Sequence, residues 1–418
     1  MAHKRIETLF LWKKHFACFL APIRPVVIAV IMFAAIWHGY GAATYYVWTN
    51  SPNEGTPYND WSNAAHAIQT AVNVATNGDI VVVTNGLYNT GGLVTPGYAL
   101  TNRVCITNII TLRSINGPAY TTIKGVPASG GEFGTGAVRC VYMNTNAFLI
   151  GFALSGGYTM SNGNAYADRG GGGIYGDSGA VISNCLIISN FAYGRGGGII
   201  APNGQITVNN CVLTGNRATN DFGGGLYVGG TMAMNNCIIS NNKASAGGGV
   251  FIQLNTVLKN CLLIKNISAN EGAGAYLFWG GRLTNCTIAG NSGGSSGGVH
   301  FYVDATHATG QVNNCVIWGN TSGNSYSNFY NGGGIVNYTC SGPVQSGTGN
   351  IGSDPQFVEA SHDNYHLRMS SPCVNTGSNQ DWMTNAVDLD GNARILNNIV
   401  DMGAYETLLW QGTIYKAR

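Results

Sequence analysis

Aromatic residues recur in this chain at one kind of position. Two residues beyond each of seven glycine clusters stand Tyr175, Ile200, Tyr227, Phe251, Tyr276, His300 and Val336. At that recurrence the side chains make an outward ladder whose rings would stack on successive sugars of a glycan chain or on another partner. Stacked rings also stabilise parallel strands by themselves, so both readings stay open. Ionisable groups are few. The turns just ahead of the clusters hold Asp168, Arg169, Arg195, Asp221 and Glu271. Asp221 and Glu271 lie two repeats apart, about 9.6 Å between backbones at the spacing of neighbouring strands. Paired carboxylates about 6.5–9.5 Å apart serve inverting glycoside hydrolysis. A lyase needs an acidic calcium cluster and a basic residue instead, a set that Asp168, Asp221 and Arg195 approach. Exposed turns also collect charges without any chemistry.

Two further places carry candidate ligands. Asp388-Leu389-Asp390-Gly391-Asn392 resembles the start of a calcium loop with Asp388, Asp390 and Asn392 as ligands. It lacks a third acid before its glycine, and Ile399 stands where the closing Glu belongs, so a plain turn is the other reading. The longest repeat interval contains Asp304, Thr306 and His307, which with His300 make a second candidate site, since solenoid insertions cluster on a binding face.

What must position these residues is a phrase repeated six times: Asn-Cys, then Ile or Leu two places after the cysteine, then Asn five places after it. Its cysteines are Cys185, Cys211, Cys237, Cys261, Cys286 and Cys315, at intervals of 26, 26, 24, 25 and 29 residues. A fixed period of this size is the mark of a solenoid. An apolar column three places before each cysteine (Ile182, Val208, Met234, Leu258, Leu283, Val312) breaks strand alternation unless the chain bends at the polar pair between. Asn tolerates the left-handed conformation such a bend requires. Each repeat then holds three short strands and three turns, with a tight glycine corner ahead of the third strand. The cysteines fall on one repeat position and should stack as small apolar thiols. Disulfides between neighbouring coils remain the alternative, since coils about 4.8 Å apart are within bonding reach.

The alternation of Asn-Cys-x-Ile-x-x-Asn with Gly-Gly-Gly-aliphatic resembles the right-handed parallel β-helix of the pectate-lyase-like superfamily. It is similar in particular to exported repeat proteins with polymorphic outer-membrane-protein-type repeats. The likeness covers about residues 44–406. It implies an all-β chain, a single right-handed parallel β-helix solenoid with a short N-terminal capping helix. It is weak for activity, because the superfamily hosts lyases, hydrolases, adhesins and proteins of unknown role, and no position matches a lyase motif closely enough to carry a catalytic residue over.

Composition narrows the rest. Charged residues make up only 9% of the 418 residues, and glycine supplies 61 of them, which suits many tight turns rather than a charge-laced helical protein. Of 20 Lys and Arg and 18 Asp and Glu, five bases and one acid fall within residues 1–43, leaving fifteen against seventeen beyond it, a net of −2. A nucleic-acid partner would need a basic face. Residues 1–43 read as an export signal: bases, an apolar run Val26–Trp37, then Gly41-Ala42-Ala43 ahead of Thr44. The membrane is then met only through that segment. Residues 44–78 read as a strand and capping helix, with apolar Ala64, Ile68, Ala71, Val72 and Ala75 at helical spacing and Asp60 or Ser62 as the cap. Residues 79–345 read as β-helix coils, 346–406 as C-terminal coils and cap, and 407–418 as a tail.

Two functions fit these residues. One is an exported or cell-surface β-helix that binds or adheres, without catalysis, to a polysaccharide, surface glycan or other surface partner. The other is a carbohydrate-active enzyme, a polysaccharide lyase or glycoside hydrolase, with calcium as the one cofactor to consider. The scarcity of acids in the coils favours the first.

Overall fold

The structure, a computed structural model, describes residues 41–302, 309–324 and 326–408. Nearly all of the export segment, nearly all of the tail and the loop with Asp304, Thr306 and His307 lie outside the described residues. The rest winds into one right-handed parallel β-helix. Sheet 1 has eleven strands, from Thr44–Val47 to Ile335–Asn337. Sheet 2 has ten, from Gly86–Tyr88 to Cys340–Ser341, and sheet 3 has ten, from Leu93–Val94 to Phe329–Gly332. A fourth sheet of six two-residue strands, Phe191–Ala192 to Thr321–Ser322, lies between the second and third in chain order. The expected three strands per repeat are therefore four: one coil runs Ile206–Asn209, Val212–Thr214, Arg217–Ala218, Leu226–Val228.

The repeated phrase builds this coil atom by atom. The Asn before each cysteine is the left-handed corner: Asn184, Asn210, Asn236, Asn260, Asn285 and Asn314 have φ of 49° to 53°. The bend lets both flanking columns face inward, and Val208, Met234 and Leu258 join Cys211, Cys237 and Cys261 in one buried core. The cysteines are free thiols. Each donates to the carbonyl two residues earlier, at 3.2–3.3 Å. The last Asn of the phrase does more than open a turn. Asn190, Asn216, Asn242, Asn266, Asn291 and Asn320 are buried, and the side-chain amide of each donates to the next along the stack, at 2.8–3.1 Å, ending on Asn328. A buried polar group is tolerated when it is bonded in this way.

The glycine corner follows from steric need. Gly223 has φ of 72°, and a Cβ on Gly225 would stand 2.7 Å from the Gly249 carbonyl oxygen of the next coil. The triplet Gly332–Gly334 is not another such corner. Gly332 already lies in sheet 3 opposite Tyr302, and the place of the corner is taken by Ser327-Asn328, which accept the amides of Gly298 and Val299.

At the N-terminal end the helix Ile68–Val74 packs Ile68, Ala71 and Val72 into the core. Its Gln69 bonds both the amide and the carbonyl of Cys105 at the edge of sheet 3, at 2.6 and 3.2 Å. It starts later than its periodicity predicts, because Ala65 is captured by the first strand through bonds to Tyr46 and Trp48. Its N-cap is Ala67 with no side-chain bond, and Asp60 instead accepts the amides of Ser62 and Asn63 in a turn. At the other end, the antiparallel pair Phe357–Glu359 and Asn364–Leu367 begins a segment that adds no coils and folds back over sheet 2. There Tyr365, Leu389, Ala404 and Tyr405 cover Leu262, Ile264 and Ala289. Corner Asn side chains tie it down: Asn260 donates to Val387, Asn285 to Asp401 and Asn314 to Ser378. No helix among the described residues is long and apolar enough to cross a membrane.

Candidate functional site

Sheet 3 carries the ladder, in strict register. Cys105, Tyr142, Tyr175, Ile200, Tyr227, Phe251, Tyr276, His300 and Tyr330 are successive partners. Tyr175, Tyr227, Phe251, Tyr276 and His300 thus stand in one column, as expected, but Val336 does not. It belongs to sheet 1 opposite Val312 and is buried in the core, and Tyr330 takes its place. The rings stack on one another: centroids of Tyr142–Tyr175, Tyr227–Phe251, Phe251–Tyr276, Tyr276–His300 and His300–Tyr330 are 4.5–5.4 Å apart with planes 8° to 22° from parallel. Their faces are consumed by each other. Tyr175, Tyr227, Phe251 and His300 are only 3–9% exposed, so what the column offers solvent is ring edges and hydroxyls.

The column forms the floor of a cleft of about 390 Å³ over the coils from Arg195 to Phe278. The glycine corners set one wall, where register places Arg195, Phe222, Ala246 and Glu271 on four successive coils. Alternation along sheet 3 sets the other, where Gln253 and Phe278 lie opposite each other. Tyr166, from the loop before the first corner, overhangs the end.

Arg195 is the hub of that end. Its Nε donates to Asp221 Oδ2 at 2.9 Å and its Nη1 to the Tyr166 and Tyr227 hydroxyls at 2.8 and 3.2 Å. The guanidinium also lies 5.1 Å from both tyrosine ring centres. Burial pulls its pKa down, but Tyr227, Asp221 and Tyr166 outweigh that and hold it above its ordinary value. Burial pushes the Tyr227 phenol up to about 12, against the pull of Arg195, and Tyr276 likewise to about 12. Both hydroxyls are neutral donors at pH 7. Burial drives His300 down to about 4, so its imidazole is neutral, with Nδ1 3.0 Å from Ser296 Oγ.

The candidate catalytic and metal residues are mostly occupied. Asp221 reaches the arginine of the preceding coil, so it does not stand free opposite Glu271. Asp168 is buried and accepts the amides of Ala99, Leu100 and Asn164 at 2.8–3.0 Å, which pins the loop that carries Tyr166. It is therefore separated in role from the Arg195–Asp221 pair that a lyase-like set would have joined to it. Glu271 keeps a half-buried carboxylate in the cleft. In the C-terminal segment, Asp388 accepts the amides of Asp390, Asn392 and Glu406 and the Asn392 side chain, while Asp390 bonds His366 Nε2 at 2.6 Å. The segment that resembles the start of a calcium loop is a hydrogen-bonded turn in this structure. Among the described residues no group of three or more His, Cys, Asp or Glu is arranged to hold a metal ion.

Five lining residues carry weaker sequence signals, Ala246 among them at the same turn position as Arg195. Phe278 and Gln253 were signalled by alternation, two places beyond Tyr276 and Phe251. Phe222 sits at the turn position already noted for Arg195. Tyr166 lies in an irregular loop with no pattern of its own.

Comparison with known proteins agrees with this architecture. The family model for the right-handed beta helix region matches residues 134–288 and 170–344, together just over half of the chain. No curated protein sequence matches. Among solved structures, pectate lyase Pel9A superposes with a TM-score of 0.53 at 14% identity, over 87% of this chain and 96% of that one. The Dettilon tailspike protein (TM-score 0.40, 14% identity, 71% and 54%) and a mannuronan C-5 epimerase A-module from Azotobacter vinelandii (0.27, 15%, 64% and 94%) are more distant. Stacked coils, asparagine corners and the matching model together make the chain a member of the right-handed β-helix family.

Proposed function

We propose that this chain is an exported β-helix that binds a glycan along the outer face of sheet 3 without chemically altering it. The observation that supports this most is the cleft itself: a rigid floor of stacked rings with neutral phenol donors, walled by Phe222, Phe278 and Tyr166 and furnished with Arg195, Gln253 and Glu271. Rings already fixed by stacking lose little conformational freedom when a ligand arrives. Sugars present both C–H surfaces and hydroxyls; the apolar wall of Phe222 and Phe278 meets the first and the phenols meet the second. The fold shared with a pectate lyase supports a polysaccharide as the class of partner. Export fits the bases and apolar run ahead of Thr44.

A non-catalytic role is favoured by what the acids do. Asp168 and Asp221 are engaged, and the carboxyl driven furthest from its ordinary range, Glu406 at about 8 through burial, sits in the C-terminal segment beside Arg394, 2.8 Å away. Perturbed acids gathered in a cleft would argue for catalysis; this one is remote from the cleft. The enzymatic reading rests on one residue, Glu271, the free carboxylate of the cleft. Affinity gels and turnover assays on one polysaccharide panel, with calcium present, test both. Retention of wild-type protein that weakens in Tyr227→Ser with Tyr276→Ser, and no turnover, supports binding. Turnover abolished in Glu271→Gln or Asp221→Ala would establish an enzyme instead.

A further inference from the structure

Glycans divide by charge, and the cleft takes a side. A uronate polymer brings one carboxylate for every sugar, so a groove that holds it needs cationic donors at matching intervals. Among the described residues one cation lines this cleft, Arg195, and Asp221 neutralises it at 2.9 Å. The neighbouring Arg169 lies over the Tyr193 ring, 5.7 Å from its centre, and His300 is neutral. At the opposite end, three coils from Arg195, the carboxylate of the half-buried Glu271 has no hydrogen-bond or ion-pair partner among the described residues. Arg195, Asp221 and Glu271 together leave the groove with one net negative charge.

We infer that the cleft takes a glycan free of uronates, whose hydroxyl or amino groups donate to Glu271; this rests on the glycan-binding reading above. The chemistry demanded is a donor facing an acceptor-only carboxylate. A neutral sugar meets it with a hydroxyl and an amino sugar with an ammonium. A uronate placed in the same cleft sets like charges a few ångströms apart near a protein surface, a penalty of roughly tenfold or more in affinity at low salt.

Calorimetric titration of the full chain with oligogalacturonate, a neutral glucan or galactan oligomer, and chitosan oligomer tests it, at about 20 mM and about 500 mM salt. The expected result is binding of the neutral or the amino oligomer, with oligogalacturonate about tenfold weaker or more at low salt and the gap narrowing at high salt. Glu271→Gln should narrow the same gap at low salt. A wild-type advantage for chitosan that Glu271→Gln removes identifies the ammonium as the donor; equal binding of the two identifies hydroxyls. Oligogalacturonate bound as tightly as the others overturns this inference and leaves the glycan-binding reading standing. Binding of none of the three overturns both.

Discussion

Replacing Asn242 by Ala cuts the buried asparagine ladder at its middle. The Asn242 Oδ1 accepts both the backbone amide and the side-chain amide of Asn216, at 3.0 and 2.9 Å, and its own Nδ2 donates to Leu213 and Asn266. After the change Asn216 keeps its bond to the Ile187 carbonyl, at 2.9 Å, but its backbone amide and one side-chain proton have no acceptor. Each orphaned buried donor costs about 1–3 kcal/mol, so the pair should cost about 2–6 kcal/mol. The exposed Asn255→Ala is the control, with an expected change within about 0.5 kcal/mol. Urea titration followed by circular dichroism reads both. Solenoid unfolding departs from a two-state transition, so the comparison is of midpoints on the first transition. A loss below about 1 kcal/mol for Asn242→Ala would mean that water or a shifted neighbour replaces the amide, and that the ladder is a consequence of stacking rather than a support for it. Because Asn242 packs beneath Gly225, the variant should also loosen the corner that feeds Tyr227 into the cleft.

Further outcomes follow from the same geometry. His300 takes up its proton near pH 4 when folded and near 6.5 when unfolded. The unfolded chain therefore holds more protons between those values, and stability falls as pH drops through that window, by up to about 3 kcal/mol. His300→Phe, which keeps a ring between Tyr276 and Tyr330, should remove that share of the acid sensitivity in urea melts at pH 7 and pH 4.5; an unchanged slope would place the sensitivity elsewhere. Of the eleven cysteines the ten described are buried thiols, so in a Cys18→Ser variant a thiol reagent should label none in the native state and all ten in urea. Prompt labelling before unfolding, or fewer thiols than expected after it, would contradict the packed column.

The six Asn-Cys phrases made the fold legible because three demands coincide in each: a left-handed corner, an inward thiol and a buried amide. Each restricts residue type, so each leaves a visible letter in the sequence. The two-residue strands such as Arg217–Ala218 leave none, since two residues have no period. Gly332–Gly334 misled for a related reason. Composition marks a glycine cluster but not its place in the coil, and the true last corner is Ser327-Asn328, without glycine. The ladder column was readable from the corners, whereas its burial was not, because exposure depends on the rings of neighbouring coils. Arg195 as a hub was hidden most deeply. Its partners Tyr166, Asp221 and Tyr227 lie 26 to 32 residues away and meet it only once the coils stack.

The proposed glycan site is the cleft on sheet 3. Gln253 and Glu271, both half-buried, line that cleft with no side-chain hydrogen bond or ion pair among the described residues, so Gln253→Ala with Glu271→Ala should leave the thermal transition unchanged. Affinity electrophoresis of this double variant beside wild type, in gels containing the polysaccharide that wild type binds best, isolates the cleft. Loss of two contacts worth about 1 kcal/mol each should raise the dissociation constant about tenfold or more. Retention equal to wild type, with the fold intact, would contradict the claim and move the binding surface off sheet 3.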